Sequence, residues 1–187
     1  YYLLKEVSFG NDGNISNEKL ESCINSDLAN NYGNLCQRVI SFVERNLNLT
    51  VPKNIKLEEQ DYKILNIYSN NYKNLLSSID KQEINTYVNF IQSQLFNANK
   101  YFNDQEPWKK KDNKLRLNTI IYTSLELIRK ISILLYPIIP DTSLKVLNIF
   151  KLNEKNINFK TIINHDFLDQ IDNIISIKIL FKKIDND

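Results

Sequence analysis

Methionine is absent from all 187 residues, position 1 included, where Tyr1 stands. A chain that opens "YYLLKE" does not open on an initiator, so we expect a piece of something longer. Glycine occurs three times and proline four times. So little turn-forming material disfavours many short strands and favours long helices with few connections. The two cysteines, Cys23 and Cys36, fall in one predicted helix. At about 1.5 Å of rise per residue their backbones lie roughly 20 Å apart, too far for a disulfide. Free thiols fit a reducing cytoplasm. The single histidine, His165, has no cysteine or acidic cluster at ligand spacing, so a surface or packing role is expected and a metal site is not. No apolar run approaches the roughly 20 residues of a membrane span, and no signal peptide is visible. An excess of one charge is missing too. The net charge of +2 is too small for a broad phosphate footprint. Any nucleic-acid contact must therefore be local and specific.

What is present suits one domain with a real core: 42% hydrophobic and 25% charged residues. Asparagine, lysine and isoleucine are abundant, as AT-rich coding would produce, so a single Asn carries no argument. The stretch "GNDGN" is the strongest breaker. Ser16 can cap a first helix over 17–48, with Glu18 at its positive end and a bend near 25–33, where Asn and Gly weaken it. Pro52 stops that helix. Ile64, Leu65, Tyr68, Tyr72, Leu75, Leu76 and Ile79 recur at three and four, predicting a second helix over 58–78. Asp80 can cap a third, with a stripe from Ile84 to Phe102. Pro107 suits the first turn of a fourth, with a stripe from Leu117 to Leu135. Pro140 and Asp141 open a fifth that reaches about 150. Beyond it, "INFKTIINHDF" and "IISIKILFKKI" hold β-branched runs without a helical period, read as a tail that packs back on the body. The expected fold is all-α: an antiparallel helical bundle of about five helices with a short extended C-terminal tail. Residues 1–15 form a leading segment and loop, 16–152 the helical body and 153–187 the extension.

Two stretches carry chemistry. In "DLANNYGNLCQRV", residues 27 to 39, Asn30, Asn34 and Arg38 stand four apart, with Ser41 and Arg45 falling between them on the helical wheel. Leu28, Tyr32, Leu35, Val39, Phe42 and Val43 take the other side, so the polar row is expected to face outward. Gly33 flanks the row and removes bulk there, at a helix cost of about 1 kcal/mol relative to Ala. A partner's backbone or a base could approach at that point. One reading is a solvated helix face. The other is chemical: amides and a planar guanidinium read the edges of unpaired bases. In "EPWKKK", Trp108 is the only tryptophan. It is either a lid over the helix junction or a stacking platform, with Lys109, Lys110 and Lys111 either solvated or attracting phosphate.

At these residues the sequence resembles a known family. "YYLLKEVSFGNDGNIS", "INSDLANNYGNLCQRV", "ANKYFNDQEPWKKKD" and "LLYPIIPDTSLKVLN" together resemble, in order and spacing, the C-terminal part of the methionyl-tRNA synthetases, class I aminoacyl-tRNA synthetases. The final "IKILFKKI" is similar to the family's closing segment. The resemblance implies that residues 1–15 end the catalytic portion and 16–152 form the α-helical anticodon-binding domain. It implies that Asn30, Asn34 and Arg38 contact base edges of a CAU anticodon and that Trp108 stacks on a splayed base. The family's ATP-site signatures are absent from this sequence, so no catalytic residue, no cofactor and no metal is expected here; ATP and methionine belong to the full-length enzyme. The implied partners are methionine tRNA and a catalytic domain on the same chain, with no membrane, a monomeric state and a cytoplasmic setting. Two alternatives stand beside this reading: the equivalent domain of another class I synthetase, and a helical protein-interaction module.

Overall fold

The computed structural model describes residues 1–8, 10–152 and 157–184. The expected boundary at 152/153 and the start of the extension fall partly outside them. A short helix α1, Tyr2–Glu6, precedes α2, Asn17–Cys23. Ser16 caps α2, its hydroxyl accepting from the Lys19 amide at 3.2 Å. The chain continues without a break through Ile24–Gly33 into α3, Asn34–Leu47. This is the expected first helix, but the weak stretch is not a simple bend. Residues 24–33 are wound with i→i+5 hydrogen bonding, wider than an α-helix. Asn48, in the left-handed conformation with φ 49°, ends α3.

Helix α4, Glu59–Asp80, opens on a reciprocal capping box between Glu58 and Asp61. Helix α5 is Ile84–Gln105. Asp80 is the last residue of α4 rather than the cap of α5, which Glu83 precedes without a side-chain cap. Helix α6, Lys114–Leu135, starts seven residues after Pro107, because Asn113 provides the cap, accepting from the Arg116 amide at 3.1 Å. Pro107–Lys109 is instead a separate 3-10 turn. Helix α7 is Pro140–Ile149, with proline in its first turn. Besides the short α1, the described residues thus form five helical segments, counting 17–47 as one, as the periodicity implied. No strand occurs among the described residues; Thr50 and Asn173 form one isolated antiparallel bridge. No helix among them is long and apolar enough to cross a membrane.

Helix α6 is the axis of the molecule. All of it is buried except Lys114, Leu115 and Asn118. A single apolar stripe therefore understates it, since a helix buried all round needs cover on every side. Helices α3, α4, α5 and α7 supply most of that cover. The tail supplies the rest, as two 3-10 turns, Phe159–Ile162 and Phe167–Gln170. Three cations fasten it. Arg129, paired with Glu126 at 2.8 Å, donates to the Thr161 and Asn164 carbonyls at 3.0 and 3.2 Å. Lys130 donates to the Ile162 and Asn164 carbonyls. Lys53 donates to Leu168 O, Asp169 O and Ile171 O at 2.9, 2.7 and 2.7 Å. Phe167 lies under the Arg129 guanidinium, 4.8 Å from its ring centre.

A second buried polar set ties α4, α5 and α6 together. Asp61 is fully buried and accepts from Arg116 at both oxygens, from Tyr101 Oη at 2.5 Å and from the Glu58 amide at 2.9 Å. Burial by itself would raise the Asp61 carboxyl. The hydrogen bonds from Arg116, Tyr101 and Glu58 outweigh it and hold the group below its ordinary value.

Two measurements follow from these clusters. Asp61→Ala leaves Arg116 without its buried partner and is expected to lower unfolding free energy by about 3–5 kcal/mol in a urea titration. A loss under about 1 kcal/mol contradicts the role given to this cluster. The second concerns pH. Burial pulls the Lys130 amine down to about 7, against the pull of Glu126. An unfolded lysine titrates near 10.4, so the unfolded chain binds more protons from about pH 7 upward, and this group makes stability rise with pH. The buried Cys23 and Cys36 thiols, raised by burial, act with the opposite sign above about pH 8.5. Between about pH 7 and 8, therefore, the urea midpoint should climb more in the native chain than in Lys130→Met. Equal slopes would contradict a depressed Lys130.

Candidate nucleic-acid interface

The turn that follows α5 sets the position of Trp108. Glu106 ends that helix in the left-handed conformation, φ 44° and ψ 60°, which costs a non-glycine residue about 1–2 kcal/mol. The residue before a proline already avoids the α region, and a left-handed step followed by Pro107 turns the chain sharply out of the helix. Pro107 is buried and anchors the turn, while Trp108 is 41% exposed. The tryptophan is therefore neither in the core nor in the first turn of α6. Its inner edge meets Phe102 of α5, with ring centres 6.1 Å apart at 68°. Phe102 in turn meets Phe42 of α3 edge-on at 6.2 Å. This row ties the Trp108 turn to the first helix.

Arg38 lies over the Phe102 ring at 5.5 Å and donates to Asn103 Oδ1 at 2.6 Å. The guanidinium is thus held by stacking and by one hydrogen bond. An open cavity of about 360 Å³ runs between Arg38 and Trp108, with Arg45, Ser41 and Gln37 on its helical side. Its chemistry is mixed: an aromatic face, two guanidinium groups and the two amides of Gln37 and Asn46. A planar ring with polar edges suits such a place. The lysines after Trp108 contribute less than their number suggests. Lys109 is paired with Glu106 at 2.7 Å, so its charge is offset locally.

Asn30 and Asn34 do not line this cavity. They are exposed and belong to a neighbouring one of about 280 Å³, with Gly33, Phe181 and Lys183. Gln37 lines both cavities. The four residues singled out in the sequence thus sit on one continuous face, but in two compartments. Trp108 and Arg38 share one, Asn30 and Asn34 the other. The expectation for Gly33 needs correction. A Cβ there would lie 3.2 Å from the Leu28 carbonyl oxygen and 3.3 Å from Phe181 Cδ2. The small residue makes room for the chain's own tail, not for an outside partner. Arg45 and Lys183 are further cations of this face. The i+7 spacing of Arg45 from Arg38 signals the first. Nothing local signals the second, because it arrives from the far end of the chain.

Comparisons with known proteins concern the chain as a whole. Residues 51–187 match the family described as the anticodon binding domain of methionyl tRNA ligase. Residues 1–40 match the tRNA synthetases class I (M). The methionine--tRNA ligase of Thermotoga maritima is 33% identical over 187 residues, covering 99% of this chain and 30% of that protein. That of Rickettsia conorii is 34% identical over 189 residues, covering 99% of this chain and 37% of its own length. This chain thus spans about a third of the curated relatives it matches. The crystal structure of apo methionyl-tRNA synthetase from Mycobacterium tuberculosis superposes with a TM-score of 0.89 at 27% identity, covering 100% of this chain and 38% of that one. With helical body, turn and tail all matched, the chain belongs to the methionyl-tRNA ligase anticodon-binding domain family.

Proposed function

We propose that this chain reads the CAU anticodon of methionine tRNA, as the C-terminal portion of an enzyme that attaches methionine to that tRNA using ATP. The observation that carries the reading is the cavity between Trp108 and Arg38, which joins a half-exposed aromatic face to a fixed guanidinium. An anticodon loop offers unpaired, splayed bases, and these are recognised by stacking and by hydrogen bonds to their edges. Trp108 stacks on one base. Arg38, held by Asn103, presents its remaining donors to base edges or phosphate. Asn30 and Asn34 supply amide edges in the adjoining compartment. A net charge of +2 fits such local contact better than a broad electrostatic grip.

The division of labour follows from the same reading. Residues 16–152 form the anticodon-binding body, 1–15 lead in from the catalytic portion and 153–187 extend the body. Chemistry on methionine and ATP belongs to the parts of the relatives that this chain does not cover. No group in this site is assigned a catalytic step, and it holds no cofactor or metal in this reading. A monomer working in the cytoplasm suits the two free, buried cysteines.

Titration of the 187-residue chain with an anticodon stem-loop tests the reading. Trp108→Ala and Arg38→Ala are each expected to weaken binding of the CAU loop by about 5- to 150-fold, the range of one lost base stack, with the helical circular dichroism unchanged. Native binding by both variants overturns the site. Loops with one base of CAU changed should bind more weakly. Indifference to the anticodon points instead to the equivalent domain of another class I synthetase. Absence of any salt-dependent binding to tRNA points to a protein-interaction module.

A further inference from the structure

The tail reaches the first helix through two fixed contacts. Asn25 grips the backbone of Ile184 with both of its polar atoms: Asn25 Nδ2 donates to Ile184 O at 2.9 Å, and Ile184 N donates to Asn25 Oδ1 at 2.9 Å. Phe181 fills the space beside Gly33 and meets the buried Tyr32 ring at 6.3 Å and 56°. The residues between these anchors are thereby held along the exposed side of the Ile24–Gly33 segment. Phe181 and Lys183 line the cavity opposite Asn30 and Asn34. Lys183 is exposed and, among the described residues, is the one lysine or arginine lining that cavity.

We propose that residues 179–183 form a second wall of the RNA groove, and that the cavity they close takes a nucleotide adjacent to the one stacked on Trp108. The proposal rests on the RNA-binding reading given above. Its chemistry is complementary across the cavity. Asn30 and Asn34 offer donors and acceptors to a base edge. Phe181 gives an apolar surface at the notch left by Gly33. Lys183 brings a mobile ammonium to the phosphate. Gln37 lines both compartments, and one helical turn of about 5.4 Å separates Asn34 from Arg38, so neighbouring nucleotides of one strand can enter them together. Asn25, Gly33 and Phe181 are positioning residues: they hold the wall, and Lys183 meets the ligand.

The test is a salt series of anisotropy titrations with the CAU stem-loop and the 187-residue chain. Lys183→Ala, a change at an exposed side chain, should weaken binding about fivefold. It should also reduce the slope of log K against log salt by about 0.7, the share of one phosphate contact on a single strand, with preference for CAU retained. Asn25→Ala, which frees the wall, should reproduce that change of slope. The pair together should lose no more than either alone, because both act through one contact. A merely structural role for Asn25 would lower stability and leave the slope as it was. Gly33→Ala should weaken binding by displacing Phe181, and adding Phe181→Leu should restore part of it. Native affinity and slope in Lys183→Ala and Asn25→Ala, while Trp108→Ala loses binding, overturns the tail's role and leaves the RNA reading standing. Native binding by Trp108→Ala and Arg38→Ala as well removes the RNA reading, and this proposal with it.

Discussion

The structure depends on a charge cluster that cannot be left uncovered. Glu126, Arg129 and Lys130 are fully buried near the middle of α6. A carboxylate, a guanidinium and an amine that burial pulls down to about 7 are tolerable out of water only when paired and hydrogen-bonded. Helices have already used most of their own carbonyls, so neighbouring helices offer few free acceptors. A single 3-10 turn ends within a few residues and leaves its last carbonyls to spare. Residues 161–164 provide them, and Lys53 collects three more from 168–171. The tail is therefore irregular for a physical reason: regular helix there would withdraw the acceptors that the core cations require.

That path has consequences far from α6. Once residues 168–171 are held by Lys53, the chain bonds to the α3–α4 connection, the Val51 amide donating to Asp172 O at 2.8 Å and the Ile174 amide to Leu49 O at 2.9 Å. It then passes the end of α7, where the Ile175 amide donates to Ile149 O at 3.3 Å. From there it crosses to the first helix, where Gly33 admits Phe181. The same helix carries Asn30, Asn34, Arg38 and Arg45. The core charges and the groove proposed for RNA are thus linked by one continuous strip of chain. The groove's other boundary is set independently, by the left-handed Glu106 and buried Pro107 that turn Trp108 outward.

Much of the fold was legible because it depends on local periodicity. Helices α4 and α5 and the run 17–47 lie where apolar residues recur at three and four. Two start signals failed for identifiable reasons. Pro107 tolerates a helix start but does not compel one, and the strained Glu106 step together with the Asn113 cap moved α6 onward. Asp80 was absorbed into α4 because a good cap residue does not by itself end the helix before it. The four candidate residues were also visible as candidates, since a row of amide, amide and guanidinium at fixed spacing and a lone tryptophan after proline are sequence facts. Their separation into two compartments was not. It follows from which other elements line each one, α5 and the Trp108 turn the first and the tail the second, and from the wide winding of 24–33, which changes the angular step that a wheel assumes.

The sequence alone determined the class of fold, the identity of the polar row and the presence of a lone tryptophan directly after proline. These rest on interactions spanning three to eight residues, which any helix or turn imposes on its own chain. Only the tertiary structure decided that Gly33 is a notch for Phe181, that Lys183 joins Asn30 and Asn34, and that α6 carries buried ions needing a tail. Each joins residues separated by tens of positions or more. Their meeting is selected by the free energy of satisfying buried charge and filling space across the whole molecule, which no local pattern encodes.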